Sequence, residues 1–167
     1  MEKRLELDNQ QERPRSLEYV AGLIAGEGCF SISVRKVKHA RFSLLPSFSI
    51  GMMDRDTILE AARILRENDL PVYLAETSKK TLEIRATGYK RVKRYTATFI
   101  PFLTGTKKQA ALVVDEFCTS RLLRKPKSLP TENEIALIEK IRVINGRPGK
   151  KTNDLGFLRD YTSETAS

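Results

Sequence analysis

Val20-Ala21-Gly22-Leu23-Ile24-Ala25-Gly26-Glu27-Gly28-Cys29-Phe30 sets small residues at helical spacing directly before a carboxylate flanked by glycines. A helix ends in unpaired carbonyls and carries roughly half a negative charge at its C-terminus, so an acid there works against helix stability. The position of Glu27 therefore points to function rather than to folding. Read as a helix, Ala21, Gly22, Ala25 and Gly26 share one face almost without side chain, which lets another backbone approach closely. Two such helices side by side bring two copies of Glu27 together.

The pattern on either side supplies the frame. A helix is predicted from Ser16 as N-cap to Glu27, with Gly28 at the position that favours a left-handed cap. Period-2 alternation follows, with Phe30, Ile32 and Val34 on one face of a strand and Cys29, Ser31, Ser33 and Arg35 on the other. A basic turn from Lys36 to Arg41, holding the single histidine His39, leads to a second strand through Phe42, Leu44, Phe48, Ile50 and Met52, where Pro46 indicates an edge or a bulge. Asp54 and Asp56 offer caps to a helix carrying Ile58, Leu59, Ala62 and Leu65 inward, ended by Asn68 and Pro71.

A second hairpin turns Val72 and Leu74 against Leu82, Ile84 and Ala86. A third helix spans 88–101 with Tyr89, Val92, Tyr95 and Phe99 on its apolar side, and its basic run Lys90, Arg91, Lys93 and Arg94 is a solvated face or an outer phosphate contact. Thr106 and Gln109 form a capping box for a fourth helix through Ala110, Val113, Val114, Phe117 and Leu122, and Thr131 with Glu134 repeat the device for a fifth, which Gly146 ends. The fold class is thus α+β. Residues 1–15 read as a charged N-terminal arm, 16–146 as one domain, and 147–167 as a polar C-terminal tail whose docking candidates are Leu155, Phe157 and Leu158.

Composition narrows the partner. The 167 residues carry 30 Lys and Arg against 21 Asp and Glu, a formal net charge of +9, which favours a polyanion over an acidic or neutral partner. Cys29 and Cys118 lack metal-ligand spacing and are too few for a disulfide framework, so both read as free thiols of an intracellular, reducing compartment. No run approaches a membrane span and no apolar leader precedes the first helix, so neither a membrane nor a secreted state is expected.

Val20 to Gly28 resembles the signature of the LAGLIDADG homing endonucleases, best at Ala21-Gly22-Leu23-Ile24 and at Gly26-Glu27-Gly28. Glu27 stands where Asp is commoner in that family, and Ala25 where another acid is frequent. The resemblance covers Ser16 to Leu123. It implies an α-β-β-α-β-β-α fold with a curved four-stranded antiparallel sheet over double-stranded DNA, followed here by an additional C-terminal helix. A single motif implies a homodimer on a long pseudo-palindromic site, with Ala21, Gly22, Ala25 and Gly26 at the dimer interface. It further implies an intron-encoded enzyme that hydrolyses both strands to leave 3′ overhangs, using Mg²⁺ or another divalent metal held by Glu27 and the Gly26 carbonyl.

Two further site residues follow from the same resemblance. Pro101 to Ala110 is similar to the stretch that brings a lysine near the metal-bound water; strict alignment puts Thr106 there, and Lys107 is preferred over its neighbour Lys108. Met52 falls where some members carry a water-positioning glutamine, a role that a thioether cannot fill and that Ser49, Asp54 or solvent would take over.

A two-stranded ribbon fits the major groove, so the outward strand faces are the DNA-reading candidates. They are Ser31, Ser33, Arg35, Val37, Ser43, Ser47, Ser49, Tyr73, Thr77, Thr81, Glu83 and Arg85, with Lys36, Lys38, Arg41, Lys79 and Lys80 positioning the backbone. Arg35 and Arg85 are the guanine-reading candidates, while Glu83 either accepts from cytosine or steers an arginine. The alternative from another class is a non-cleaving relative, an intron-RNA maturase or a DNA-binding regulator; only the maturase, or a basic ribosome-associated protein, makes RNA the partner.

Overall fold

Alternation begins with no loop after the acid: α1 (Leu17–Glu27) passes directly into β1 (Gly28–Arg35). The computed structural model describes residues 16–37, 42–77, 80–146 and 155–164. The arm 1–15, Lys38, His39, Arg41, Lys79 and residues 147–154 lie outside the described residues.

The other elements are β2 (Ser43–Met52), α2 (Arg55–Glu67), β3 (Tyr73–Glu76), β4 (Leu82–Thr87), α3 (Tyr89–Phe99), α4 (Gly105–Leu122), α5 (Glu132–Ile144) and α6 (Gly156–Glu164). The strands form one antiparallel sheet in the order β1-β2-β4-β3. The α-β-β-α-β-β-α order is followed, among the described residues, by three helices more, α4, α5 and α6.

Gly28 does not take the left-handed cap conformation. Its φ of −73° and ψ of 150° are extended, and its N–H returns to the Ile24 carbonyl. Glycine is required here for space: a Cβ would lie 2.7 Å from both the Ile24 Cα and its carbonyl oxygen and 2.8 Å from the Ile24 Cγ2. Backbone atoms cannot swing aside as a flexible side chain can. Gly28→Ala is expected to lower stability by about 2–3 kcal/mol in urea unfolding. Gly22→Ala, where a Cβ meets nothing within 4 Å, is expected to be neutral or stabilising by up to about 1 kcal/mol. Equal losses in the two variants would contradict the steric account.

The sheet buries the predicted face. Phe30, Ile32 and Val34 of β1, Phe48 and Ile50 of β2 and Leu82, Ile84 and Ala86 of β4 all belong to the core. Pro46 neither bulges its strand nor marks an outer one, because β2 is an inner strand and Pro46 pairs in regular register with Ile32. Its carbonyl accepts from Gly88 N–H just past the end of β4. A strand residue's N–H and C=O point the same way, so the donor that proline lacks faces a place where the ladder has already ended.

Helices cover that buried face. Phe48 bridges the Phe30 and Tyr95 rings at centroid distances of 4.9 and 4.5 Å, and the Tyr95 hydroxyl donates to the Pro71 carbonyl at 2.8 Å. Burial drives the Tyr95 phenol well above its ordinary pKa and pushes the Cys118 thiol up to about 12, so that thiol is inert. In α2 the inward residues are Ile58, Ala61, Ala62, Ile64 and Leu65, and Leu59, predicted inward, is 46% exposed because it lies off that stripe. In α4, Leu122 is likewise exposed while Arg121 takes the buried place.

The predicted capping box of α4 is absent. The N-cap is Thr104, and Gly105 at φ +55° turns the chain into the helix, so Thr106 and Gln109 fall inside it. The box of α5 forms as read, with Thr131 and Glu134 reciprocally bonded.

Glu134 also ties α5 to α4. It is fully buried and accepts from Ser120 Oγ at 2.6 Å, Arg124 at 2.9 Å and Arg121 at 3.2 Å. Past residue 146, Leu155 and Leu158 are buried in the core, and the ring of Phe157 receives the Lys36 ammonium 4.7 Å from its centroid. The candidates for docking do dock, so the core extends beyond residue 146. Among the described residues no helix is long and apolar enough to cross a membrane.

Candidate functional site

Glu27 is exposed at the last position of α1, one residue before the sheet begins. Lys107, in the first turn of α4 and half-buried, donates its ammonium to the Gly28 carbonyl. A bond linking residues 79 apart in sequence thus sets the lysine beside the acid. Lys108 makes no side-chain contact of this kind among the described residues.

A cleft of about 280 Å³ opens there, lined by Gly28, Cys29, Phe30, Lys107, Ala110 and Asn145 among others. Asn145, the C-cap of α5, donates to the Phe30 carbonyl at 2.9 Å. Lys107 and Asn145 therefore occupy carbonyls of β1, an edge strand that would otherwise offer them to another chain. Sequence reasoning missed Asn145, whose place depends wholly on how α5 lies against β1.

The exposed surface of α1 is nearly featureless. Gly22, Ala25 and Gly26 are exposed, and neither glycine has a heavy atom within 4 Å of where a Cβ would stand. Ala21 departs from the prediction: it is 5% exposed and joins Val20 and Ile24 in the core, because it lies on the sheet side of the helix. The small-residue face is thus Gly22, Ala25 and Gly26. Only Glu18 and Glu27 bring charge to the exposed part of this helix.

The second half of the site is the sheet surface turned away from the helices. Register aligns Arg35 with Ser43, Ser33 with Leu45, and Ser31 with Ser47 and Thr87. One row crosses all four strands, Cys29–Ser49–Arg85–Tyr73. Ser31 and Ser47 share a hydrogen bond of 2.8 Å between hydroxyls. Tyr73 is 66% exposed, and Val37 continues beyond β1 at 44%. Arg35, Lys36 and Lys80 are exposed, and Ser33, Ser43, Ser49 and Thr81 are half-buried.

Cys29, Leu45 and Thr87 were not among the candidates, nor were Gly51 and Ala75, and all five carry the outward alternation parity. Thr77 departs from its reading, because its hydroxyl is buried at the hairpin turn, where its N–H bonds the Thr81 carbonyl, and has no partner among the described residues. Met52 is half-buried at the end of β2. On α3, Lys93 pairs with Asp115 at 2.7 Å and Arg94 donates to the Asp69 carbonyl, so part of that basic run is engaged within the chain.

The sequence matches no family model and no curated protein. Solved structures do match. The homing endonuclease I-CvuI, in complex with the I-CreI target, aligns with a TM-score of 0.73 at 14% identity, over 90% of this chain and 94% of that one. The archaeal intron-encoded homing endonuclease I-Vdi141I, complexed with DNA, aligns at 0.66 and 19% over 87% and 93%. The LAGLIDADG homing endonuclease I-SmaMI, bound to cleaved DNA, aligns at 0.66 and 14% over 89% of this chain but 48% of its own. With the helix-end acid, the bare helix face and the four-stranded sheet all in place, the chain has the fold of the LAGLIDADG homing endonucleases.

Proposed function

We propose that this protein is a site-specific, divalent-metal-dependent DNA endonuclease of the intron-encoded homing type, acting as a homodimer on a long pseudo-palindromic duplex. The observation that carries the reading is the exposed Glu27 at the junction of α1 and β1, with Lys107 anchored one residue away and an uncharged small-residue face beside it. The fold neighbours include DNA complexes of homing endonucleases, and the full-length overlap with I-CvuI supports a single unit per chain. The half-length overlap with I-SmaMI supports pairing, since a chain about twice as long accommodates this fold in half its length.

One chain fits a hard cation only in part. Among the described residues no three His, Cys, Asp or Glu side chains cluster. Glu27 and the Gly26 carbonyl, in the last turn where helical donors run out, form an oxygen set that a second copy would double. Bound Mg²⁺ would supply charge neutralisation at the phosphoryl group and an activated water.

The chain's own residues do the rest. Gly22, Ala25 and Gly26 let two α1 helices approach, which sets both acids at the two-fold axis, one for each DNA strand. Lys107 presents an ammonium whose present acceptor is a neutral carbonyl, and a phosphate oxygen is a stronger competitor for it. The outward sheet rows lie in the major groove and hold the duplex over the acids.

The test is incubation of the full chain with a randomised duplex library in Mg²⁺ and in EDTA, with sequencing of the ends and sedimentation of the free protein. The expected result is a dimer that leaves pseudo-symmetric 3′-overhang ends in Mg²⁺ alone, and a Gly22→Leu variant that is monomeric and inactive. Selective retention of one sequence without cutting would replace this reading with that of a DNA-binding regulator.

A further inference from the structure

Glu83 and Arg85 are two residues apart on β4 and so share the outward face. Both Nε and Nη2 of Arg85 lie 2.5 Å from a single oxygen of Glu83. A guanidinium offers five N–H donors in a rigid plane. Gripping one edge fixes that plane and leaves the opposite edge, Nη1 and the outer hydrogen of Nη2, without a partner among the described residues. Glu83 is itself held: its side chain is 16% exposed, and its Cβ and Cγ lie over Gly51 of β2. Arg85 is 47% exposed and stands in the row that crosses all four strands, between Ser49 and Tyr73.

An ion pair this open to water adds little to stability, so the fold does not account for it. Its effect is to aim a two-donor fork outward. Within the major groove, the partner that matches such a fork is the O6 and N7 edge of guanine. Arg35 makes the contrast: it is exposed and has no carboxylate partner among the described residues. A cation on a free stem suits phosphate better than a base edge.

We propose that Arg85 reads a guanine in each half-site and that Glu83 is the positioning residue that makes the reading selective. The inference rests on the DNA-binding reading of the sheet and specifies one base of its substrate. Neither the carboxylate nor the arginine suffices alone: an unrestrained guanidinium can turn to phosphate, and an unpaired carboxylate facing DNA repels it.

The experiment selects bound duplexes from a randomised library with the full chain, at fixed salt and in Ca²⁺, for the wild type, Arg85→Ala, Glu83→Gln and Arg35→Ala. The wild type is expected to select guanine at one position and its symmetry mate. Arg85→Ala erases that preference, by at least about fivefold and up to about a hundredfold, and leaves other positions alone. Glu83→Gln flattens the same preference while keeping affinity for the consensus within a few fold and the melting temperature unchanged. Arg35→Ala weakens all sequences evenly. As an atomic check, 7-deazaguanine at that position weakens wild-type binding and leaves Arg85→Ala binding unchanged.

Guanine preference untouched in Arg85→Ala overturns the proposal, as does a Glu83→Gln loss spread evenly over every position. A wild type that selects no sequence at all overturns instead the DNA-reading assignment beneath it.

Discussion

Glu27→Gln is expected to reduce cleavage at least about a thousandfold, equivalent to about 4 kcal/mol of transition-state stabilisation, while the duplex remains bound. Glutamine keeps the shape and one carbonyl oxygen of the side chain and removes the negative charge that a hard cation requires. Nothing in the fold depends on that charge. Glu27 is exposed, has no side-chain partner among the described residues, and sits at the helix end where an acid opposes the dipole. The variant is therefore expected to be as stable as the parent or slightly more so. Its DNA affinity in EDTA should hold or rise, because a carboxylate that faces phosphate with no cation on it has become neutral. Single-turnover cleavage of the selected site, measured beside gel-shift affinity and thermal unfolding, separates these effects. Cleavage within tenfold of the parent would remove Glu27 from the chemistry.

The largest expected effect on folding lies at Glu134. Replacing it with alanine leaves Arg121, whose side chain is 5% exposed, as an uncompensated charge between α4 and α5, and breaking one half of such a buried pair costs about 3–5 kcal/mol. The same carboxylate gives stability a pH dependence. Burial opposes its ionisation, but the Ser120 hydroxyl, the Thr131 N–H and the Arg121 and Arg124 guanidinium groups outweigh that and hold its pKa below the ordinary value. A depressed folded-state pKa means the contribution is present in full above the unfolded carboxylate value near about 4.3 and is lost as pH falls through the lower folded value. Urea midpoints should therefore fall between neutrality and pH 3 by more in the parent than in Glu134→Gln. Parallel profiles would show that Glu134 does not carry the dependence.

How far the sequence foretold this molecule differs from element to element. The alternation from Cys29 to Arg35 and the capping box at Thr131 and Glu134 are local patterns, and both are present as read. Lys107 and Lys108 are not distinguished by register, since the contact in which they differ runs to Gly28 across 79 residues. Thr106 and Gln109 have the letters of a capping box, but with Gly105 at positive φ the helix starts two residues earlier, on Thr104 as N-cap. Leu59 and Leu122 are apolar without being buried, because helical periodicity identifies a stripe and not its width. Arg121 and Asn145 gave no local signal at all. Their partners, Glu134 and the Phe30 carbonyl, belong to other elements.

The direct passage of α1 into β1 bears on accuracy. Where a loop separates a recognition surface from a reactive group, the loop absorbs small errors of placement. Here Glu27 and Gly28 are consecutive, and the close contact of Gly28 with Ile24 removes even a glycine's freedom at the joint. On the DNA-reading assignment, a duplex seated one base pair out of register is displaced by about 3.4 Å along its axis, and the acids cannot follow the phosphate that has moved. Wrong sites would then be held and left whole, so fidelity in cutting would exceed fidelity in holding. Rigidity at one peptide bond would act as a second sieve.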